Sequence, residues 1–323
     1  MPHVSDRRRR AERRHLTYEP ARLAAAGLPP RDQTIAMPAG QKALQSVLIR
    51  LFANGGSHDW DALKGRHLAG LFDYYGTWVS PQPDRIAMGS TVAHRMCGYL
   101  LPYTDPDQQY PRCAGIPGLR LDACTTYGYR LIHLPTATTV EIHDDSGWPP
   151  QFREKLLSTE RRMHRSDEER SYQPVWREPS LTDLEQRWAS VWQPQPHTEI
   201  TSALFAIQPV FLHDPTGTRY GSGHWARHLQ LVCSSDAETP SVLTWCSGLR
   251  PGQVAGHLET LGLAAAGSTR TDEASGNYAT MTLDGAVLEM HRRLPQPPHR
   301  IPRPATHRHQ PRNLPSLGIR RFE

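Results

Sequence analysis

The chain has 323 residues, enough for two ordinary domains, but its apolar content of 37% is low, and its 29 prolines are about 9% of the residues against a usual 5% or so. No run approaches the roughly 18 apolar residues of a membrane-spanning helix, and the arginines Arg7 to Arg10 are not followed by the apolar stretch of an export signal. A soluble, cytoplasmic protein without a membrane span is therefore expected. Its net charge of +5 is segregated: residues 1–14 carry six arginines against Asp6 and Glu12, residues 292–323 carry eight against Glu323, and residues 15–291 are acidic at −6.

Basic ends of this kind attract polyanions through counterion release. Arg7, Arg8, Arg9, Arg10, Arg13 and Arg14 at one end and Arg320 and Arg321 at the other are the candidate contacts for DNA or RNA. The competing reading is compositional, because Lys42, Lys64 and Lys155 are the only lysines in the chain, a skew that GC-rich coding produces by itself. In that case the ends are idle and the folded body is a protein-interaction module.

Residues 1–30 read as a flexible basic arm with helix-forming stretches broken by Pro20 and stopped by Pro29 and Pro30. Residues 31–148 read as a helical region closed by a β-hairpin. Leu44, Val47, Leu48, Leu51 and Phe52 recur at helical spacing before Gly55 and Gly56. A second helix is expected from Asp59 to Trp78 and a third from Asp84 to Leu101, together making a small N-terminal bundle. A helix-turn-helix reading has little to work with, since the third helix offers only Arg85, His94 and Arg95 to a base or phosphate.

Leu121 to Asp145 is the clearest local pattern. Tyr127, Tyr129, Leu131 and His133 alternate with other residues, Thr138 to Ile142 repeat a period of two, and Pro135 to Ala137 sit between the two arms. Residues 149–179 read as a charged helix or linker, and Leu181 to Trp192 as a helix after Ser180. Residues 180–294 form the second folded part, expected as a mostly antiparallel sheet with a packed helix. Its strands are placed at 198–212, 229–233 and 242–246, its helix at 251–263, and a closing hairpin turns on Asp284-Gly285. Residues 295–323, rich in Pro, Arg and His, are expected to be a disordered tail. The fold class is thus α+β with flexible basic termini.

Chemistry is sparse. Nothing matches GxSxG or GxxxxGK[ST], and the five cysteines show no CxxC pair, so without an export signal they are expected to be reduced. His224 and His228 in HWARH lack the acidic residue of a zinc helix, so no metal site is assigned there. Within the hairpin, Asp122 precedes Glu141-Ile142-His143, and alternate strand residues share a face. This arrangement resembles the acidic residue, hairpin and Glu-x-Lys of a large class of magnesium-dependent nucleases, with His143 standing in place of the lysine. It implies Asp122, Glu141 and His143 as catalytic residues of a phosphoesterase using Mg²⁺, and no cofactor on any other reading. The leading expectation is a non-enzymatic nucleic-acid-associated protein, with the nuclease and the protein-interaction module as alternatives.

Overall fold

In a computed structural model of the chain, all described residues belong to one compact unit within Met1–Arg293, and the tail expected at 295–323 lies outside them. The residues described are 6–27, 35–53, 75–105, 112–145, 149, 152–153, 155–157, 173–188, 192–207, 229–233, 239–245, 249–264, 270–272, 276–283 and 285–292. The fold is mixed α+β, and no helix among the described residues is long and apolar enough to cross a membrane.

Helix α3, Ala39–Ala53, forms where the apolar spacing predicts it. The helices expected after it need correction. The second falls partly on residues 59–74, outside those described, and its end is instead strand β1, Gly76–Pro81; the third opens as strand β2, Arg85–Ser90. Ile86 to Ser90 are all buried, so β2 has no wet face and lacks the alternation that marks a half-exposed strand. Only Ala93–Leu100 is helical, as α4.

The central hairpin is present as β6, Gly128–His133, and β7, Thr138–Asp144, with β5, Leu119–Cys124, antiparallel to β6. The turn is a single 3₁₀ turn over Leu134–Thr136, closed by Ala137 at φ +52°. His133 fixes it from within, bonding the Pro117 carbonyl at 3.0 Å and the Thr136 hydroxyl at 2.8 Å while burial pushes its pKa down to about 3. The five strands order as β1-β2-β7-β6-β5, with β2 and β7 parallel and the other neighbours antiparallel. A small separate sheet pairs β3, Tyr103–Asp105, with β4, Arg112–Ala114, and with β8, Gln173–Pro174.

Further along, Asp183–Gln186 is a short helix α5 capped by Thr182, not by Ser180. Residues Thr198–Ala206, expected as strand, form helix α6. Ile200, Ala203, Leu204 and Ile207 are spaced for a helix and are all fully buried or nearly so. Then come β9, Gln230–Val232, β10, Ser241–Trp245, helix α7, Pro251–Thr260, β11, Arg270–Asp272, and the closing hairpin of β12, Tyr278–Leu283, and β13, Ala286–Arg292. This second sheet orders as β9-β10-β13-β12-β11, again with one parallel pair, β10 and β13.

The two halves are therefore the same motif twice. Helix, two strands, helix and three strands recur in one order, with β3 and β4 of the small sheet inserted after the second helix of the first repeat, and each five-stranded sheet joins its second strand to its fifth in parallel. The registers correspond as well. Gly89 faces His143 across β2 and β7 as Thr244 faces His291 across β10 and β13, and Gly128 faces His143 as Tyr278 faces His291.

The repeats meet through α3 and α6, and each of these helices also reaches the first strand of the other repeat, α3 on β9 and α6 on β1, the reciprocity of an approximate two-fold axis. Lys42 pairs with Glu199 at 2.6 Å, Ser202 donates to Gln45 Oε1 at 2.7 Å, Thr201 donates to Ser46 at 2.6 Å, and Phe52 meets Phe205 with ring centroids 6.2 Å apart. One apolar core runs from Leu44 and Val79 through Leu204 to Leu243 and Met290, so the parts expected at 31–148 and 180–294 share it.

A second buried constraint ties β5 to α5. Arg120 grips both carboxylate oxygens of Glu185, at 2.8 and 2.7 Å, and donates to the carbonyls of Glu178 and Ser180, while Glu185 also accepts the Gly118 and Thr182 amides. Burial works to raise the Glu185 pKa, but the Arg120 hydrogen bonds and the two amides override it and hold the carboxyl below its ordinary 4.5. A depressed folded pKa stabilises above the unfolded value and ceases to do so as the pH falls through the folded one. Glu185→Ala strands the Arg120 charge and should cost about 3–5 kcal/mol at neutral pH. Urea unfolding at neutral and at acid pH checks both points, since the variant should lose that stability at neutral pH and less of it in acid.

Candidate functional site

Glu141 and His143 stand on the outer side of β7, alternating with the buried Val140 and Ile142. His143 Nε2 lies 3.3 Å from Glu141 Oε2, and Arg85 Nε lies 3.2 Å from the same oxygen. The hydrogen bond from His143 is the first cause of a lowered Glu141 pKa; burial opposes it and Arg85 adds to it. Asp122 is exposed on β5 and ion-paired to Arg130. Arg130 sits opposite Glu141 in the ladder, between the two acids. The resemblance to a nuclease thus brings Glu141 and His143 together but leaves Asp122 on its own arginine. Among the described residues no three His, Cys, Asp or Glu side chains are placed to hold a metal ion.

The internal repeat bears on the same pair. At the corresponding positions of β13, Glu289 and His291 hold the same contact, Nε2 to Oε2 at 3.3 Å, and β7 and β13 share one burial pattern. Glu-x-His is therefore a feature of the repeated central strand, present where no counterpart of the arginine-bound Glu141 environment is built among the described residues.

What differs between the repeats gathers around His143. A pocket of about 260 Å³ opens beyond the end of β7, lined by Pro20, Arg22, Trp78, Tyr127, Asp144 and Arg153 among others. Trp78 is buried on β1, where the second repeat has Gln230. It fits because the facing residue is Gly89, whose missing Cβ would stand 2.0 Å from the indole Nε1. Asp144 corresponds to Arg292. Its carboxylate is ion-paired to Arg153 with both side chains 2% exposed, which keeps two opposite charges inside the wall.

Tyr127 is displayed by a braced turn. The Thr125 amide donates to the Gly128 carbonyl at 2.8 Å, and the Thr125 hydroxyl accepts the Tyr127 and Gly128 amides at 3.2 and 3.1 Å. The Asp144 amide donates to the Tyr127 carbonyl at 2.7 Å. Gly128 is required at the join, because a Cβ there would stand 1.9 Å from the Ile142 carbonyl oxygen. On this rigid base the Tyr127 ring is 58% exposed, 6.3 Å from the His143 ring, with the Arg22 guanidinium 4.7 Å from its centroid.

Arg22 arrives on helix α2, Ala21–Ala26, which follows helix α1, Asp6–Thr17. The segment expected to be a flexible arm is thus helical over these spans, and a buried charge fixes it. Arg13, with no exposed surface, pairs with Glu19 and donates to the Gly27 carbonyl at 2.5 Å, and Ser80 of β1 donates to the same Glu19. Leu23 packs with Trp78 and Ala87 on the outer face of the first sheet. Arg7, Arg8, Arg10 and Arg14 are exposed, and Arg8 and Arg9 pair with Glu12 and Asp6. Arg320 and Arg321, like His224 and His228, lie outside the described residues.

No family model, curated protein or solved structure matches the chain. The functional reading therefore stands on geometry. The sequence points to His143 and its neighbours Asp144 and Asp145, but not to Trp78, Tyr127 or Arg22. The signal it does carry is Gly128 directly after an exposed tyrosine, a turn device inside a strand pattern. With no third ligand near Glu141 and His143 among the described residues, millimolar Mg²⁺ or Mn²⁺ should leave the thermal midpoint unchanged, whereas an ion held by the folded state raises it by mass action. Differential scanning calorimetry with and without a chelator checks this.

Proposed function

We propose that the protein is a non-enzymatic, cytoplasmic nucleic-acid-binding protein that grips the phosphate backbone with the outer side of α1. One observation carries the reading. Arg7, Arg10 and Arg14 recur at i, i+3 and i+7, are exposed, and make no ion pair among the described residues, while the buried Arg13 on the neighbouring flank locks the helix to the body. Six arginines close in sequence are thereby divided into one anchor, a ridge of three, and Arg8 and Arg9, which pair with Glu12 and Asp6 on the helix itself.

The ridge is about 10 Å long at 1.5 Å per residue, which matches roughly three phosphates of one strand at about 3.4 Å each. A rigid row of guanidiniums loses less side-chain freedom on binding than a loose tail does. Such a row neutralises phosphates without reading bases, so the affinity is salt-dependent and sequence-tolerant. The arginines of residues 292–323 add to the same attraction from the other end of the chain.

The triple variant R7A/R10A/R14A should weaken binding of labelled DNA and RNA and lower the slope of log affinity against log salt by about 3, one for each phosphate no longer neutralised. Fluorescence anisotropy across a salt series measures both. Unchanged affinity and slope in a variant that keeps its thermal midpoint would sink the reading.

A further inference from the structure

We infer that the pocket beside His143 takes a nucleoside monophosphate unit, as one unstacked residue of a single strand, with its base against Tyr127 and its phosphate toward Arg22. The inference rests on the nucleic-acid reading above and names the form of nucleic acid preferred. Five observations bear on it.

The Tyr127 ring, 58% exposed between Arg22 and His143, is held by a turn with three bonds through Thr125 and one to β7, so stacking a base on its open part leaves that turn as it is. Bases of any type stack on such a ring, since each has a π face. Arg22 already lies over that ring at 4.7 Å, is exposed, and has no carboxylate partner among the described residues. Its N–H groups are therefore open to a phosphate beside the stacked base. The volume, about 260 Å³, lies just below the usual range of roughly 300–1,000 Å³ for ligand pockets, which suits one nucleotide and no larger cofactor.

The charges of the wall also select. Asp144 is neutralised by Arg153, and Asp145 accepts the Thr77 hydroxyl at 2.8 Å. Among the described residues Arg22 has no acid partner and Asp145 no basic one, so the four charges of the lining sum to zero and a phosphate is held only where it lies against Arg22 and away from Asp145. Finally, the site belongs to one repeat only. The second repeat keeps Glu-x-His but has Gln230 for Trp78 and Arg292 for Asp144. The backbone motif therefore needs none of these side chains, and their presence is explained by what the pocket holds.

Pocket and ridge are joined through the chain itself, since α1 ends at Thr17 and Pro20 and Arg22 line the pocket. A single strand lying along Arg7, Arg10 and Arg14 can turn one base out at the end of the helix. A duplex cannot do so without breaking a pair and a stack.

The test uses the full chain with adenosine 5′-monophosphate, ribose 5-phosphate and inorganic phosphate in calorimetric titrations, and labelled single-stranded and duplex oligonucleotides by anisotropy. The mononucleotide should bind more tightly than either phosphate control. Tyr127→Ala, at an exposed position, should abolish that advantage and weaken single-strand binding about 5- to 100-fold, while leaving duplex binding within about twofold. Arg22→Ala should weaken the mononucleotide and the single strand together. The ridge variant should lose oligonucleotides of both kinds and keep the mononucleotide, so failure of the ridge and failure of the pocket read out separately. Mononucleotide binding that depends on Tyr127 without a single-strand preference would assign the pocket to a free nucleotide and overturn the strand reading. Equal binding of the mononucleotide and inorganic phosphate, or none by either, would overturn the site.

Discussion

The two-helix seam at the centre of the molecule is the contact on which everything else depends. Helix α3 is buried on nearly every side, and positions that would ordinarily face water, Gln41, Gln45 and Ser46, are buried with the rest. They can be there only because α6 supplies partners, Thr201 and Ser202, and because the loop after β1 turns its backbone toward Gln41, which donates to the carbonyls of Gln82 and Arg85 at 2.7 and 3.1 Å. A buried amide without a partner costs about as much as a lost hydrogen bond or more. Polar contacts across the seam therefore fix which turn of α3 meets which turn of α6, where a purely apolar interface would tolerate sliding. Each sheet then packs on helices from both repeats.

Duplication supplies an internal comparison for deciding what is architecture and what is site. The Glu-x-His pair, the single parallel strand pairing and the burial rhythm of the last strand occur in both repeats. Trp78 over Gly89, the Asp144–Arg153 pair and the displayed Tyr127 occur in one. Buried charge is costly, and an exposed aromatic contributes nothing to a core. Their concentration on a single repeat marks a division of labour. The first repeat, with α1 and α2 laid over it, carries the pocket, and the second completes the core.

Both hairpins and α3 are legible in the sequence because period and turn chemistry agree there: Leu131, Val140 and Ile142 alternate around Pro135, and Gly285 at φ +83° closes the other turn. Where both faces of an element are buried, the pattern vanishes. That is why β2 reads as helix, and why α6, opening with Thr198, Ile200 and Thr201, reads as strand. The repeat leaves no trace visible by eye, since no single spacing relates the halves: His143 corresponds to His291 but Gly89 to Thr244, the loops between them differing in length. Arg13 is indistinguishable in sequence from its neighbours on α1, and only tertiary structure separates an anchor from a ridge. The pocket is hidden for a like reason, being assembled from α2, β1, a turn, the end of β7 and Arg153.

The seam also sets an order of events during synthesis. Lys42 and Glu199, partners across it, are 157 residues apart, and at translation rates of about 5–20 residues per second the later one emerges on the order of ten seconds or more after the earlier. Throughout that interval α3 is exposed with its glutamines and serine unmatched and its apolar surface bare. The first sheet lacks its shared helix for the same period. A nascent chain of this design cannot complete its first half as a finished domain. It reaches the native state only after α6 has emerged, and a ribosome stalled before residue 206 would hold a chain whose first sheet still lacks part of its packing.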